Sequence, residues 1–281
     1  MPSTSQNEFG TLLDCQRHLF DIPNDVAYLN CAYISPLLNA VRDAGIAGTQ
    51  RKSHPWEILP RDFFTDAEEA RGLFAELIGA TTNDVALGSA ASYGTATAAR
   101  NLPVQRGQRI LVLQDQFPSN VYSWHALADD CDGTILTLQR PHDDNWTRSV
   151  LEALDDRVAI AALPHVHWTD GALLDLVQIG ARCREVGAAL VIDGTQSVGV
   201  LPFDVNAIQP DFLTVATYKW LLGPTVLGLS MLLLSGKRVY RLSTIGLIGK
   251  AVKTFRIWLT IETVINPAHD AMMLVSGATS I

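Results

Sequence analysis

The sequence predicts a layered α/β fold built on a mainly parallel sheet. Two observations carry that prediction. Short apolar runs alternate with amphipathic segments along the chain, and the runs are nearly apolar throughout, as in Ala-Leu-Val-Ile-Asp at 189–193. Strands covered on both faces read this way, whereas half-exposed strands alternate polar and apolar residues. Strand and helix in alternation give a layered α/β architecture. A third observation bounds the size: 281 residues, 48% hydrophobic and only 18% charged, supply a substantial core and do not match a disordered chain.

In chain order, helices are expected at Leu37–Gln50 and Asp66–Ile78, followed by a strand at Val85–Leu87 and a helix at Ser92–Asn101. Strand Ile110–Leu113 precedes a helix at Ser119–Ala128, and strand Thr134–Leu138 precedes one at Thr147–Leu154. Strand Val158–Leu163 leads to a helix at Leu173–Val186. There Leu173, Leu176, Val177, Gly180 and Cys183 keep a helical spacing, and Arg182, Arg184 and Glu185 fall elsewhere on the wheel. Strands Ala189–Asp193 and Phe212–Ala216 complete the series.

The charge balance, 21 basic against 29 acidic residues for a net −8, argues against a nucleic-acid partner. Met1–Gly10 is polar and lacks the apolar run of a signal peptide. The apolar run Trp220–Leu234 is interrupted by Gly223, Pro224 and Gly228, so no membrane segment is expected. Cys15, Cys31, Cys131 and Cys183 are scattered without a CxxC pair, which fits free thiols in the cytoplasm rather than a metal site or a disulfide framework.

In sheets of this class ligands sit beyond the carboxyl ends of the strands. Four such ends carry special residues. After Val85–Leu87, Gly-Ser-Ala-Ala-Ser-Tyr-Gly-Thr (88–95) runs into a helix start, either as an ordinary serine cap or as an anion cradle. After Ile110–Leu113, Phe117 precedes Pro118 and is either a stacking platform or core. Asp193 closes an apolar strand before Gly194, where a carboxylate is a turn cap or needs a cationic partner. Lys219 follows the last strand, hemmed by Tyr218, Trp220 and Leu221; a desolvated lysine has a lowered pKa and attacks carbonyls. An aspartate and a lysine at neighbouring strand ends, a phosphate cradle and an aromatic plate are together the parts that hold pyridoxal phosphate. The lysine would form the Schiff base and the aspartate would keep the pyridine nitrogen protonated.

The stretches Val-Ile-Asp-Gly-Thr-Gln-Ser-Val-Gly (191–199) and Pro-Asp-Phe-Leu-Thr-Val-Ala-Thr-Tyr-Lys-Trp-Leu-Leu-Gly-Pro (210–224) resemble the class V aminotransferases. These fold-type I pyridoxal-phosphate enzymes include cysteine desulfurases, kynureninases and isopenicillin-N epimerase-like proteins. Tyr28–Pro36, His165–Gly171 and Asp175–Ile179 add to the likeness, which covers roughly residues 25–235. It implies a seven-stranded-type, mainly parallel sheet sandwiched by helices, with the family's small C-terminal domain largely missing. The implied division is an N-terminal segment 1–30, a cofactor-binding large domain 31–236 and an atypical tail 237–281.

The resemblance implies that Lys219 carries the cofactor and Asp193 partners the pyridine nitrogen. By the same likeness Gln196 lies near the phenolic oxygen, Ala91 and Ser92 bind phosphate, Phe117 stacks on the ring and Tyr218 touches phosphate. Phe117 and Tyr218 resemble kynureninases, and Trp168 stands where desulfurases carry Asn; no cysteine falls in a desulfurase nucleophile position. The implied protein is a pyridoxal 5′-phosphate enzyme acting on an amino acid or amine, as a transaminase or a kynureninase-like lyase, and a homodimer. The alternative is a truncated, catalytically impaired remnant that keeps the fold and at most binds cofactor.

Beyond about Arg241 no motif matches. Back-translation of residues 257–278 with chosen codons in a neighbouring frame yields a peptide resembling the family's arginine-bearing stretch. The tail is therefore expected to be out of frame, with Ile257, Trp258, Leu259 and Ile261 lacking a fitted partner surface; a divergent natural terminus is the alternative.

Overall fold

The structure is a computed structural model and describes residues 14–225 together with the backbone of 228–232. The expected tail from residue 237 onward, with Ile257, Trp258, Leu259 and Ile261, lies outside the described residues.

Seven strands form one sheet: β1 (Val85–Gly88), β2 (Arg109–Leu113), β3 (Thr134–Leu138), β4 (Val158–Pro164), β5 (Ala189–Asp193), β6 (Phe212–Ala216) and β7 (Gly228–Leu232). Their order across the sheet is β1-β7-β6-β5-β4-β2-β3. The β3-β2-β4-β5-β6 run is parallel, while β7 pairs antiparallel to both β6 and β1. The mainly parallel, seven-stranded expectation therefore holds. The strand absent from the sequence reading is β7, which lies in the apolar run considered only as a membrane candidate.

The helices are α1 (Asn39–Arg51), α2 (Thr65–Ile78), α3 (Ala91–Asn101), α4 (Tyr122–Asp130), α5 (Trp146–Ala153), α6 (Leu176–Val186) and the short α7 (Val205–Ile208). Strand side chains alternate between two apolar layers. Leu111, Leu113, Leu163, Ile192 and Leu213 pack with α2, α5, α6 and α7 on one face. Ile110, Val112, Ile160, Ala162 and Val191 pack with α3 and α4 on the other. Coverage of both faces is why these strands are apolar at nearly every position.

Two expected helices are corrected. The one placed at Ser119–Ala128 is a 3₁₀ turn at Pro118–Asn120 followed by α4, because Val121, at φ −132° and ψ −53°, leaves the helical conformation between them. The one placed at Leu173–Val186 begins at Leu176, since the Asp175 carboxylate accepts from Gln178 N at 3.0 Å and caps it there. Its buried stripe is Leu176, Ile179, Gly180 and Cys183; Leu173 and Val177 are exposed. Helix α1 forms near its expected place but buries none of its residues among those described. No described helix is long and apolar enough to cross a membrane, and all four cysteines are free.

Candidate functional site

The carboxyl ends of β2, β4, β5 and β6 point the same way, and a narrow cleft opens above them. Of the residues singled out from sequence, Ala91, Phe117, Asp193, Gln196, Tyr218 and Lys219 line this cleft. Ser92 sits one position into α3, exposed at the same helix start.

Asp193 is placed by register. It pairs across the sheet with Pro164 of β4 and Thr214 of β6, so its side chain leaves the middle of the sheet at its edge. Its carboxyl is 8% exposed and accepts from Thr195 N at 3.0 Å. Burial pushes its pKa up; hydrogen bonds from Thr195 and the charge of Lys219 pull the other way. Thr195 also accepts from Ala216 N at 3.0 Å through its hydroxyl, which ties the end of β5 to the end of β6.

Lys219 stands three residues past β6 and is 5% exposed. Burial pushes its amine below the ordinary lysine value, and Asp193 opposes the shift. Its Nζ lies 5.5 Å from the centre of the Phe117 ring and 5.9 Å from that of Tyr218. Burial and Asp193 together push the Tyr218 phenol above its usual range. The turn carrying Lys219 is braced by Gly199, whose φ of +102° and missing side chain admit the Trp220 carbonyl.

The start of α3 has no side-chain cap: Ala90 precedes it in extended conformation and supplies no acceptor. Its position is fixed by the Thr214 hydroxyl, which donates to Ala91 O at 3.1 Å. An uncapped helix start beside a cleft is suited to an anion.

The loop containing Tyr28–Pro36 reaches the same place. Ser35 donates to Tyr218 O through its backbone N–H at 2.9 Å and its hydroxyl at 3.1 Å. Gln196 donates to Ala32 O at 3.0 Å, and its carbonyl accepts the Trp220 indole N–H at 3.2 Å. Both ends of the Gln196 amide are thus engaged with protein.

Sequence reasoning missed Gln116, Ser119, Val166 and Thr195 as lining residues. Thr195 had a signal, sitting two residues after Asp193 in the quoted motif. Gln116 had none: it spans the sheet edge by donating to Asn120 O at 3.0 Å and Ala162 O at 3.1 Å, and that pairing exists only in the fold. Among the described residues no cluster of His, Cys, Asp and Glu is arranged to hold a metal.

A family model described as Aminotransferase class-V matches residues 56–263, a span that passes Arg241. The chain is 30% identical over 158 residues to the uncharacterized aminotransferase YcbU of Bacillus subtilis, a match covering 56% of this chain and 41% of that protein. It is 28% identical over 178 residues to a kynureninase of Cryptococcus neoformans, covering 55% of this chain and 38% of that one. Among solved structures, a mutant of C-DES with glycine covalently linked to its PLP cofactor superposes with a TM-score of 0.70 at 20% identity. That match covers 79% of this chain and 60% of the other, and it shows a shared fold. The matched segments span less than half the length of these two curated relatives.

Proposed function

The chain belongs to the aminotransferase class-V family, and on that premise we propose that its cleft holds pyridoxal 5′-phosphate on Lys219 and acts on an amino acid or amine. The observation that carries the reading is the pairing of a buried lysine and a buried carboxyl on one cleft, under an aromatic ring and beside an uncapped helix start. That donor set fits the group. When bound, pyridoxal phosphate supplies an electron-accepting ring that stabilises negative charge at the substrate carbon.

The remaining roles fall to the chain. Lys219, with its lowered pKa, keeps more of its amine unprotonated than an exposed lysine, so it serves as the attachment point and later as a base at the substrate α-carbon. Asp193 faces a cation: its burial is unfavourable alone and is offset when a protonated ring nitrogen sits opposite. The backbone N–H groups at Ala91 and Ser92, with the Tyr218 hydroxyl, receive the phosphate. Phe117 covers the ring, and Gln196 adjoins the phenolic oxygen. Phe117, Tyr218 and Trp168 together favour a transaminase or kynureninase-like lyase over a desulfurase.

The assembly we propose is a homodimer, and four free thiols are in keeping with the cytoplasm. The test is an absorbance titration of the purified full chain with pyridoxal phosphate, followed by amino-acid turnover. A saturable visible band that bleaches on borohydride reduction, with turnover of at least one amino acid, is expected. A protein that takes up no cofactor refutes the reading; one that loads cofactor yet turns over no amino acid or amine supports the impaired-remnant alternative.

A further inference from the structure

The cleft has a second aromatic wall. Trp168, 47% exposed, lines it beside Phe117. Its indole N–H donates to Asp115 O at 2.6 Å, and its ring meets the Phe117 ring edge-on, with centroids 5.5 Å apart and planes at 87°. The residue before it makes a parallel attachment: His167 Nε2 donates to Gln114 O at 3.0 Å. Consecutive side chains from the loop after β4 thus hold consecutive carbonyls at the end of β2.

This attachment is itself fixed from behind. His167 is buried, stacks on Trp146 with centroids 5.2 Å apart and planes at 19°, and accepts from the Thr169 hydroxyl at 2.9 Å. Asp115 sits at φ 54°, a conformation unfavourable for a residue with a side chain, and such conformations persist where the surroundings over-determine them. On the other side, the Gln116 amide pins the backbone next to Phe117. The Phe117 ring, 37% exposed, is in contact with both Lys219 Nζ and the perpendicular indole.

We propose that Trp168 is a positioning residue: anchored on the Asp115 carbonyl, it sets the tilt of Phe117 over Lys219 and so the plane against which the cofactor ring rests. The proposal rests on the cofactor reading above. Edge-to-face aromatic pairs and single hydrogen bonds each contribute about 1 kcal/mol; a Phe117 released from that bracing has to be ordered by the cofactor itself, at a cost of about tenfold in cofactor affinity.

The experiment compares the full chain with Trp168→Phe and Trp168→Ala. Three quantities are read: pyridoxal phosphate affinity by titration, the induced circular dichroism of the bound cofactor in the visible, and the melting midpoint of the cofactor-free protein. Trp168→Ala is expected to weaken affinity about tenfold and to diminish the dichroic band. Trp168→Phe, which keeps a ring against Phe117 but loses the anchor, should fall about threefold and retain most of the band. Trp168→Ala should melt no more than a few degrees below the other two, because its lost contacts sit on a half-exposed side chain outside the buried core. An affinity and dichroic band unchanged in Trp168→Ala overturn the proposal while leaving the cofactor reading intact. An affinity loss that comes with a fall in the melting midpoint of more than about 10 °C also overturns it, since it marks a structural role. A wild-type chain that takes up no cofactor overturns both.

Discussion

Gly199→Ala probes how the fold holds Lys219. Gly199 has φ +102°, and a Cβ there would lie 2.5 Å from Trp220 O, 2.8 Å from Trp220 C and 3.0 Å from Leu221 Cδ2. Carbon contacts become favourable only at roughly 3.5 Å, and two of these three partners are backbone, so a flexible side chain cannot simply turn away. The positive φ costs about 1 kcal/mol for a residue with a side chain, and the overlap adds about 2 kcal/mol. A total of about 3 kcal/mol lowers the melting midpoint of a domain this size by about 6–12 °C. Gly107→Ala is the control, since Gly107 has φ +81° and nothing within 4 Å of its added Cβ. It should lose only about 2–4 °C. Both variants are melted without cofactor by circular dichroism and then titrated with pyridoxal phosphate. Because the displaced carbonyl belongs to Trp220, the residue after Lys219, Gly199→Ala should also bind cofactor more weakly than Gly107→Ala. Equal melting points and equal affinities in the two variants would refute the reasoning.

Three further predictions follow the same physics. Thr195→Val keeps the shape of the side chain but removes the acceptor for Ala216 N, so it should lose about 1–3 kcal/mol in urea unfolding, whereas Thr195→Ser should stay near wild type. Asp193 has a folded pKa raised above 3.8, so its contribution is full below that value and is lost as pH rises through the folded pKa. Asp193→Asn should abolish that loss, and parallel pH–stability curves for the two cofactor-free proteins above about pH 4 would contradict it. Lys219 has a folded pKa lowered below 10.5, so the folded state gains stability as pH rises through the folded value. Lys219→Met should therefore stabilise the cofactor-free protein most at the lower pH values, with the advantage shrinking toward pH 10.5; a pH-independent difference in denaturation midpoint counts against it.

The strands β2, β4, β5 and β6 were legible because both their faces are buried, so they announce themselves as apolar runs bounded by polar turns, while the edge strand β3 was marked by its Thr-Ile-Leu-Thr-Leu pattern. The antiparallel β7 was not, since Gly and Pro residues around it look like breaks in an apolar stretch and its second partner, β1, is distant in sequence. The edges of α4 and α6 were set by the break at Val121 and by the Asp175 cap, local features that a periodic pattern overrides on paper. At the site, Asp193, Lys219, Phe117 and Ala91 were legible because each directly follows or precedes a recognisable strand or helix. The bracing of Phe117 by Trp168 was not legible, because it joins loops 53 residues apart through a side chain and a carbonyl. The 28–36 loop was visible only as a motif; its contacts to Tyr218 and Gln196 come from the fold.

The central claim is that Lys219 is the residue that holds the cofactor. It is the sole lysine between Lys52 and Lys237, so a label on it is unambiguous in a peptide map. The full chain is loaded with pyridoxal phosphate, reduced with borohydride, digested and sequenced by mass spectrometry. A pyridoxyl group is expected on the peptide containing Lys219 at close to one per chain, lost in Lys219→Met. A label distributed over Lys52, Lys237 or the lysines beyond, with the Lys219 peptide unmodified, would contradict it.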